Sequence, residues 1–370
     1  MSERTQTQSI DYHYPGGHHH RNLYNRSQST HHGAESVNHE QAYRGSEVHH
    51  HKYERSSTKQ VLSNHGFALT DGAKLGYGRY SKVCTALHIQ SGRKQIYYVL
   101  PNTANSLAKR QPDQHLQIAV KIIDTRKVTH EYRKKFLPRE IHNWRKLHHR
   151  NIVALMAVFD EGGKVFLAME LAHNGDLLSY VQQNGAQPEH IAQNWMCQLV
   201  SAVQYMHLRW IAHRDLKLEN ILLFDSNTVK IADFGFCRGI GSEGDLSLTF
   251  CGSKAYSAPE ILLGRAYPPF KADVWSLGVI AFVIVTNRMP FDERVCSNTV
   301  IVNAQHERSY HYPRRLAISE ACQQTIDAMM TFDFETRPNI HETISLPWFY
   351  VSAFFRSPMS SSQRTMNQNY

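Results

Sequence analysis

Four side chains in one short region have the types and spacing that phosphoryl transfer requires. His213-Arg214-Asp215-Leu216-Lys217-Leu218-Glu219-Asn220 is followed by Asp233-Phe234-Gly235, and the region closes at Ala258-Pro259-Glu260. Moving a phosphoryl group asks little covalent work of a protein. Catalysis comes from holding nucleophile and phosphate in line while positive charge offsets the phosphate oxygens. Asp215 can accept a hydroxyl proton and Lys217 can steady the phosphate, while Asn220 and Asp233 can supply the oxygen ligands that Mg²⁺ prefers.

These groups need rigid elements beneath them. The apolar runs 221–223 and 229–232 predict two short strands flanking a turn. Upstream, Leu75-Gly76-Tyr77-Gly78-Arg79-Tyr80-Ser81-Lys82-Val83 predicts a strand, a glycine turn and a returning strand. Glycine has no Cβ, so the backbone amides of such a turn can approach a phosphate closely. Ile118-Ala119-Val120-Lys121 predicts a strand carrying a lysine. Its candidate partner is Glu140, on a helix with Pro138 in the first turn and Ile141, Trp144 and Leu147 as the apolar stripe. Val165-Phe166-Leu167-Ala168-Met169 reads as an apolar strand. The spacing of Ile191, Trp195, Leu199, Val203 and Met206 predicts a core helix without chemistry. Residues 274–285 form the longest apolar run, interrupted by Ser276 and well short of the roughly 20 residues of a bilayer span. They predict a buried central helix with Asp273 as its N-cap.

Taken in chain order, the glycine turn, the strand lysine, the Asp215 to Asn220 loop, Asp233-Phe234-Gly235 and Ala258-Pro259-Glu260 resemble the signature of eukaryotic protein kinases over residues 67 to 350. The resemblance implies an α+β, two-lobed fold: a small antiparallel β lobe with one key helix, a larger mainly helical lobe, and ATP with Mg²⁺ in the cleft. It implies catalytic roles for Asp215, Lys217, Lys121 and Glu140, with the Lys121 to Glu140 ion pair marking the active arrangement, and a metal role for Asn220 and Asp233. Leu75, Gly76, Gly78, Val83, Ala119, Lys121, Glu170, Ala172, Asp176 and Leu222 are implied to hold the nucleotide. Within that set Val83 and Ala119 sandwich adenine, and Glu170 to Ala172 form the hinge behind Met169. Ser81 replaces the third glycine of the family turn. Asp176 has two readings, a ribose or substrate-arginine contact and a plain helix N-cap.

Residues 233–260 correspond to the activation segment. Thr249 is the expected regulatory phosphosite, with Arg214 as the partner of its phosphate; Ser242, Ser247 and Ser253 compete, although Ser253 also suits the substrate pocket beside Lys217. Glu260 is expected to pair with Arg337 as a buried structural bridge. Lys217, two residues beyond Asp215, implies serine and threonine as acceptors, and Asp176 with Glu219 suits substrates carrying arginine upstream. The segments around Glu140, Gly175, Phe236 and Thr249 resemble the testis-specific serine/threonine kinases, a branch of the calmodulin-dependent and AMP-activated kinase group. That implies protein substrates, a role in sperm development, and chaperone or co-chaperone assistance, while the unpaired cysteines suit a cytoplasmic protein with the nucleus as a second location. The alternative is a pseudokinase-like scaffold or binding module acting through its tail and insert.

Composition divides the 370 residues into three parts. Residues 1–64, rich in His, Ser and Gln with few aliphatics, cannot bury a core and read as a disordered tail, with His18-His19-His20 and His49-His50-His51 as adventitious metal binders at most. The kinase domain is expected over 65–350, with an N-lobe to 171, an inserted loop at about 92–116, and a C-lobe from 172. A short Ser-rich tail fills 351–370. The six cysteines show no paired spacing, which predicts reduced thiols. The formal charge of +9 comes largely from residues 126–150, where basic residues alternate with apolar ones on a helix. That pattern is a solvated face without interleaved aromatics, so neither a nucleic acid nor a membrane is expected as a partner.

Overall fold

A computed structural model describes residues 57–77, 81–89, 116–242, 244–249, 251–291 and 297–350. Gly78, the insert, both His-rich clusters and the Ser-rich tail lie outside them.

The chain first builds a five-stranded antiparallel sheet. Its strands are β1 (Phe67–Tyr77), β2 (Ser81–His88), β3 (Leu116–Asp124), β4 (Leu155–Glu161) and β5 (Lys164–Glu170), in the order β1-β2-β3-β5-β4. Period-two alternation sends successive side chains of β3 to opposite faces. Ile118, Val120 and Ile122 join Phe166 and Ala168 on the outer face, while Ala119 and Ile123 join Val165, Leu167 and Met169 on the face toward the helices. Lys121 therefore emerges on the inner face, between Ala119 and Ile123.

The outer face is not left to solvent. A helix α1 (Thr58–Asn64), capped by the Ser57 side chain accepting from Gln60 N at 3.1 Å, buries Val61 and Leu62 against it. The folded domain thus starts ahead of Phe67, and residues 58–64 are ordered rather than part of a tail. The short polar helix escapes sequence reading because only two of its residues are apolar and buried.

The inner face packs on α2 (Leu137–Arg145). A π-helical turn, Tyr132–Phe136, leads directly into it, and Leu137 N bonds five residues back to Tyr132 O. Pro138 has no N–H for the Lys134 carbonyl, and widening the helix by one residue accommodates its ring. Pro138 is therefore in the first turn of α2 as expected, but as the exit from a π turn.

The second lobe is helical. It contains α3 (Leu177–Asn184), α4 (Glu189–His207), the pairs β6 (Ile211–Ala212) with β9 (Arg238–Gly239) and β7 (Ile221–Leu223) with β8 (Val229–Ile231), then α5 (Pro259–Leu262) and α6 (Pro269–Thr286). Four further helices follow: α7 (Asn298–His306), α8 (Glu320–Met329), α9 (Ile340–Ile344) and α10 (Pro347–Tyr350). By length and composition α6 could cross a membrane, but 83% of it is buried inside the fold, with Trp275 fully enclosed.

Asp273 is not the cap of this helix. α6 begins at Pro269, four residues earlier, because prolines suit a first turn that needs no N–H. Asp273 is instead a buried residue inside it, and its carboxylate serves the catalytic loop. The five described cysteines, Cys84, Cys197, Cys237, Cys251 and Cys322, are buried, and none of them is disulfide-bonded to another described residue.

Candidate active site

The loop between β6 and β7 carries Asp215, and three donors orient its carboxylate. Asn220 Nδ2 donates to Oδ2 at 3.0 Å, Ser253 N donates to Oδ1 at 3.2 Å, and Lys217 Nζ lies 3.2 Å from Oδ2. Lys217 also donates to Ser253 Oγ at 2.9 Å. Loop and activation segment therefore meet at one carboxylate. A proton acceptor fixed on this scale is what a positioned general base needs.

The loop itself hangs from α6. Asp273 Oδ2 accepts from His213 N at 2.9 Å and Oδ1 from Arg214 N at 2.8 Å, with His207 Nε2 2.9 Å from Oδ2. Burial pushes the Asp273 carboxyl up, but the bond from His207 and the charges around it hold it below the usual carboxylate range. The anion satisfies two buried amides next to Arg214, whose φ of +66° is left-handed. Sequence reading missed this role because an aspartate before an apolar run looks the same as a cap.

Asp233, between β8 and β9, has a left-handed φ of +57°, and its neighbour Phe234 is fully buried between Trp144 and His213 at ring distances of 5.1 and 5.5 Å. That anchor turns the Asp233 carboxylate toward β3. Lys121 Nζ donates to Glu140 Oε1 at 2.9 Å and to Asp233 Oδ1 at 3.2 Å. Burial alone would lower the lysine, yet the two carboxylates raise it above its ordinary value. In turn the Lys121 charge lowers Asp233. Glu140 is 1% exposed and Glu140 Oε2 has no bonding partner among the described residues, so the pair is a costly charge arrangement unless Lys121 remains cationic.

The metal residues fit a hard cation. Asn220 Nδ2 is committed to Asp215 O at 2.8 Å as well as to Oδ2, which leaves Oδ1 as the amide's outward acceptor. The Asp233 side chain is 48% exposed, so a carboxylate oxygen is accessible despite the Lys121 bond. Two oxygen donors of this kind suit Mg²⁺, which takes few protein ligands and keeps other positions for water and phosphate.

The nucleotide residues are brought together on one side of the cleft. Ala119 and Met169 are paired across β3 and β5, Val83 pairs with Lys121 across β2 and β3, and Leu222 bridges to Asp176. Val83, Ala119, Met169 and Leu222 all belong to the same apolar cluster. Gly76 pairs with Val83, and Leu75 is exposed at the rim. Glu170 N is taken by Ala154 O, and its carboxylate pairs with Lys230; Ala172 follows without regular structure. Asp176 is the N-cap of α3, accepting from Ser179 N at 2.8 Å and Ser179 Oγ at 2.9 Å.

Arg214 donates from Nε to Phe236 O at 2.8 Å and from Nη1 to Ser247 Oγ at 3.2 Å, whereas Thr249 is exposed. Glu260 and Arg337 do form the expected bridge, at 2.7 and 3.0 Å.

A β lobe holding a cation on its inner face, above a helical lobe holding an oriented carboxylate, defines a two-lobed phosphotransferase. The protein kinase domain family matches residues 102–349, and the chain belongs to that family. The matched range starts inside the insert, yet β1 and β2 complete the same sheet. The chain is similar to testis-specific serine/threonine-protein kinase 3 of Mus musculus, 37% identical over 290 residues that cover 78% of this chain and 97% of the relative. It is also similar to testis-specific serine/threonine-protein kinase 1 of Mus musculus, 36% identical over 298 residues covering 79% and 74%. A third relative, testis-specific serine/threonine-protein kinase 4 of Homo sapiens, is 37% identical over 285 residues covering 73% and 78%. The family implies ATP and Mg²⁺ use and protein substrates.

Proposed function

We propose that this protein kinase transfers the γ-phosphoryl group of ATP to serine and threonine hydroxyls. The carrying observation is the Asp215 carboxylate, fixed by Asn220, Lys217 and Ser253 and served by an intact Lys121, Glu140 and Asp233 chain. A scaffold that had lost catalysis would not need all of these groups in register.

Asp215 accepts the hydroxyl proton. Lys217, tied to Ser253, steadies the transferring oxygens beside it. Lys121, held by Glu140, would offer its charge to the nucleotide phosphates, and Asn220 Oδ1 with Asp233 would hold the metal. When bound, Mg·ATP supplies the phosphoryl group and the metal charge that offsets its oxygens. Val83, Ala119, Met169 and Leu222 offer an apolar slot to the base, with the backbone from Glu170 to Ala172 at its edge.

Serine and threonine specificity is supported by Lys217 and by the similarity to the serine/threonine-protein kinases above. Exposed Glu219 together with Asp176 favours substrates with arginine upstream, while Thr249, exposed on the activation segment, is the proposed regulatory phosphosite. The testis-specific relatives support a role in sperm development; a cytoplasmic or nuclear location is proposed from the unpaired cysteine spacing, and chaperone assistance from the family resemblance.

The test is phosphate incorporation from labelled ATP into a generic serine and threonine substrate, comparing wild type with Asp215→Asn. The variant is expected to lose about 10²- to 10⁴-fold in kcat while still binding Mg·ATP. A wild type as silent as Asp215→Asn would replace the enzyme reading with a scaffold.

A further inference from the structure

The activation segment is tied to the catalytic loop through Ser247 and Arg214. Ser247 is fully buried, and its backbone makes a reciprocal bridge with Tyr267: Ser247 N donates to Tyr267 O at 2.8 Å, and Tyr267 N to Ser247 O at 3.0 Å. Its hydroxyl oxygen accepts from Arg214 Nη1 at 3.2 Å and from Thr249 N at 3.3 Å. A serine hydroxyl has two acceptor positions, and these two bonds use both. Nearby, the Tyr267 OH donates to the Thr249 carbonyl at 3.1 Å.

The second cation near the segment is engaged in the same way. Arg238 Nη2 lies 3.2 Å from Asp245 Oδ1, and Asp245 Oδ2 accepts from Gly241 N at 3.1 Å. Arg214 and Arg238 are thus each bonded to a side chain of the segment itself.

The consequence reaches the reacting atoms through five residues. Past Thr249, Gly252 adopts φ +94° with the position of a Cβ only 2.9 Å from Arg214 O, so the segment runs directly against the catalytic loop there. The next residue, Ser253, donates its amide to Asp215 and receives Lys217. Ser247 on Arg214 and Ser253 on Asp215 are thus two contacts of the activation segment with one catalytic loop.

We infer that Ser247 is a positioning residue: its hydroxyl locks the activation segment onto Arg214, so that the catalytic loop is assembled before any phosphate is added. This rests on the kinase reading above. Phosphorylation of Thr249 then adjusts an enzyme that already works, since the contact an activating phosphate would make is held by serine.

The test uses the full chain, stripped with a broad-specificity protein phosphatase and checked by mass spectrometry. Stripped wild type is expected to keep its kcat within about twofold. Ser247→Ala is expected to lower kcat by about ten- to a hundredfold through misplacement of Asp215, with KM for ATP within about twofold, because no nucleotide contact changes. Tyr267→Phe, which removes one hydroxyl from the same network, should show a smaller loss with the same split. Hydrogen exchange of the stripped proteins gives a readout that needs no activity. Amides of residues 247–253 should exchange about tenfold faster in Ser247→Ala than in wild type. The inference is overturned if stripping alone reduces wild type to the level of Asp215→Asn, or if Ser247→Ala matches wild type in turnover. If wild type is inactive before stripping, the kinase reading fails on its own, and unchanged exchange in Ser247→Ala still overturns the role of Ser247.

Discussion

At the scale of single residues the site depends on positions where only one side chain fits. Gly252 is such a position, since its left-handed φ and the nearby Arg214 carbonyl leave no room for a methyl group. Gly252→Ala is expected to leave the protein folded by circular dichroism while reducing kcat at least about tenfold, because the displaced atoms are those that seat Ser253 on Asp215. His149 shows how burial writes a pH response. Its Nδ1 accepts from Asn151 N at 3.1 Å and its Nε2 lies 3.3 Å from Ser201 Oγ, an arrangement that suits the neutral ring. Burial first, then the charges of Arg150, Arg209 and Lys230, push it down to about 4 from 6.5. The folded value lies below the unfolded one, so between pH 6.5 and about 4 the unfolded chain binds the extra proton. The stability contribution is complete above pH 6.5 and is lost as pH falls through that window, by about 2 to 3 kcal/mol. Denaturant unfolding across this range should show a flatter pH dependence in His149→Gln than in wild type.

At the scale of elements, long-range anchors hold the activation segment to the helical core. Arg337 donates to both Glu260 oxygens and to the carbonyls of Thr331, Lys271 and Phe332, and it stacks 5.0 Å from the Trp275 ring. With Arg337 fully buried, the pair fastens α5 and the end of the activation segment to the start of α6. Removing one partner strands a buried charge. Glu260→Ala should therefore cost about 3 to 5 kcal/mol in denaturant unfolding, whereas a paired apolar replacement of both residues should cost much less. Helix packing sets a second constraint nearby. Gly278 lets α6 approach α8 so closely that a Cβ would sit 2.7 Å from Met330 Cγ.

At the scale of the whole molecule, the β lobe is completed by a helix that precedes its first strand. α1 covers the outer sheet face with Val61 and Leu62, while Lys164 Nζ donates to Thr58 Oγ1 at 2.7 Å and His65 stacks on Phe159 at 4.0 Å. Two truncations separate this contribution from everything ahead of it. A chain starting at Gly66 should be less stable than one starting at Glu54 by about 3 to 5 kcal/mol, the value of burying two aliphatic side chains. Equal melting temperatures for the two would show that α1 contributes nothing to the β lobe. Because Lys121 projects from the opposite face of the same sheet, the shorter chain should also turn over more slowly.

The chemistry was legible in the sequence wherever it is local. Asp215, Lys217 and Asn220 lie within six residues, so their types and spacing alone specify an acceptor, a cation and an amide on one loop. Asp233-Phe234-Gly235 and the β3 lysine are equally contiguous, and alternation along β3 fixed which face Lys121 takes. Tertiary structure alone decided the partners that chain separation hides. Asp273 reaches back 60 residues to His213 N, and Ser247 reaches 33 residues to Arg214. α1 is recognisable only from the sheet it covers. A short spacing predicts contact because the backbone enforces it, whereas a distant polar pair forms only when packed elements bring it together and burial leaves it no other hydrogen-bonding partner.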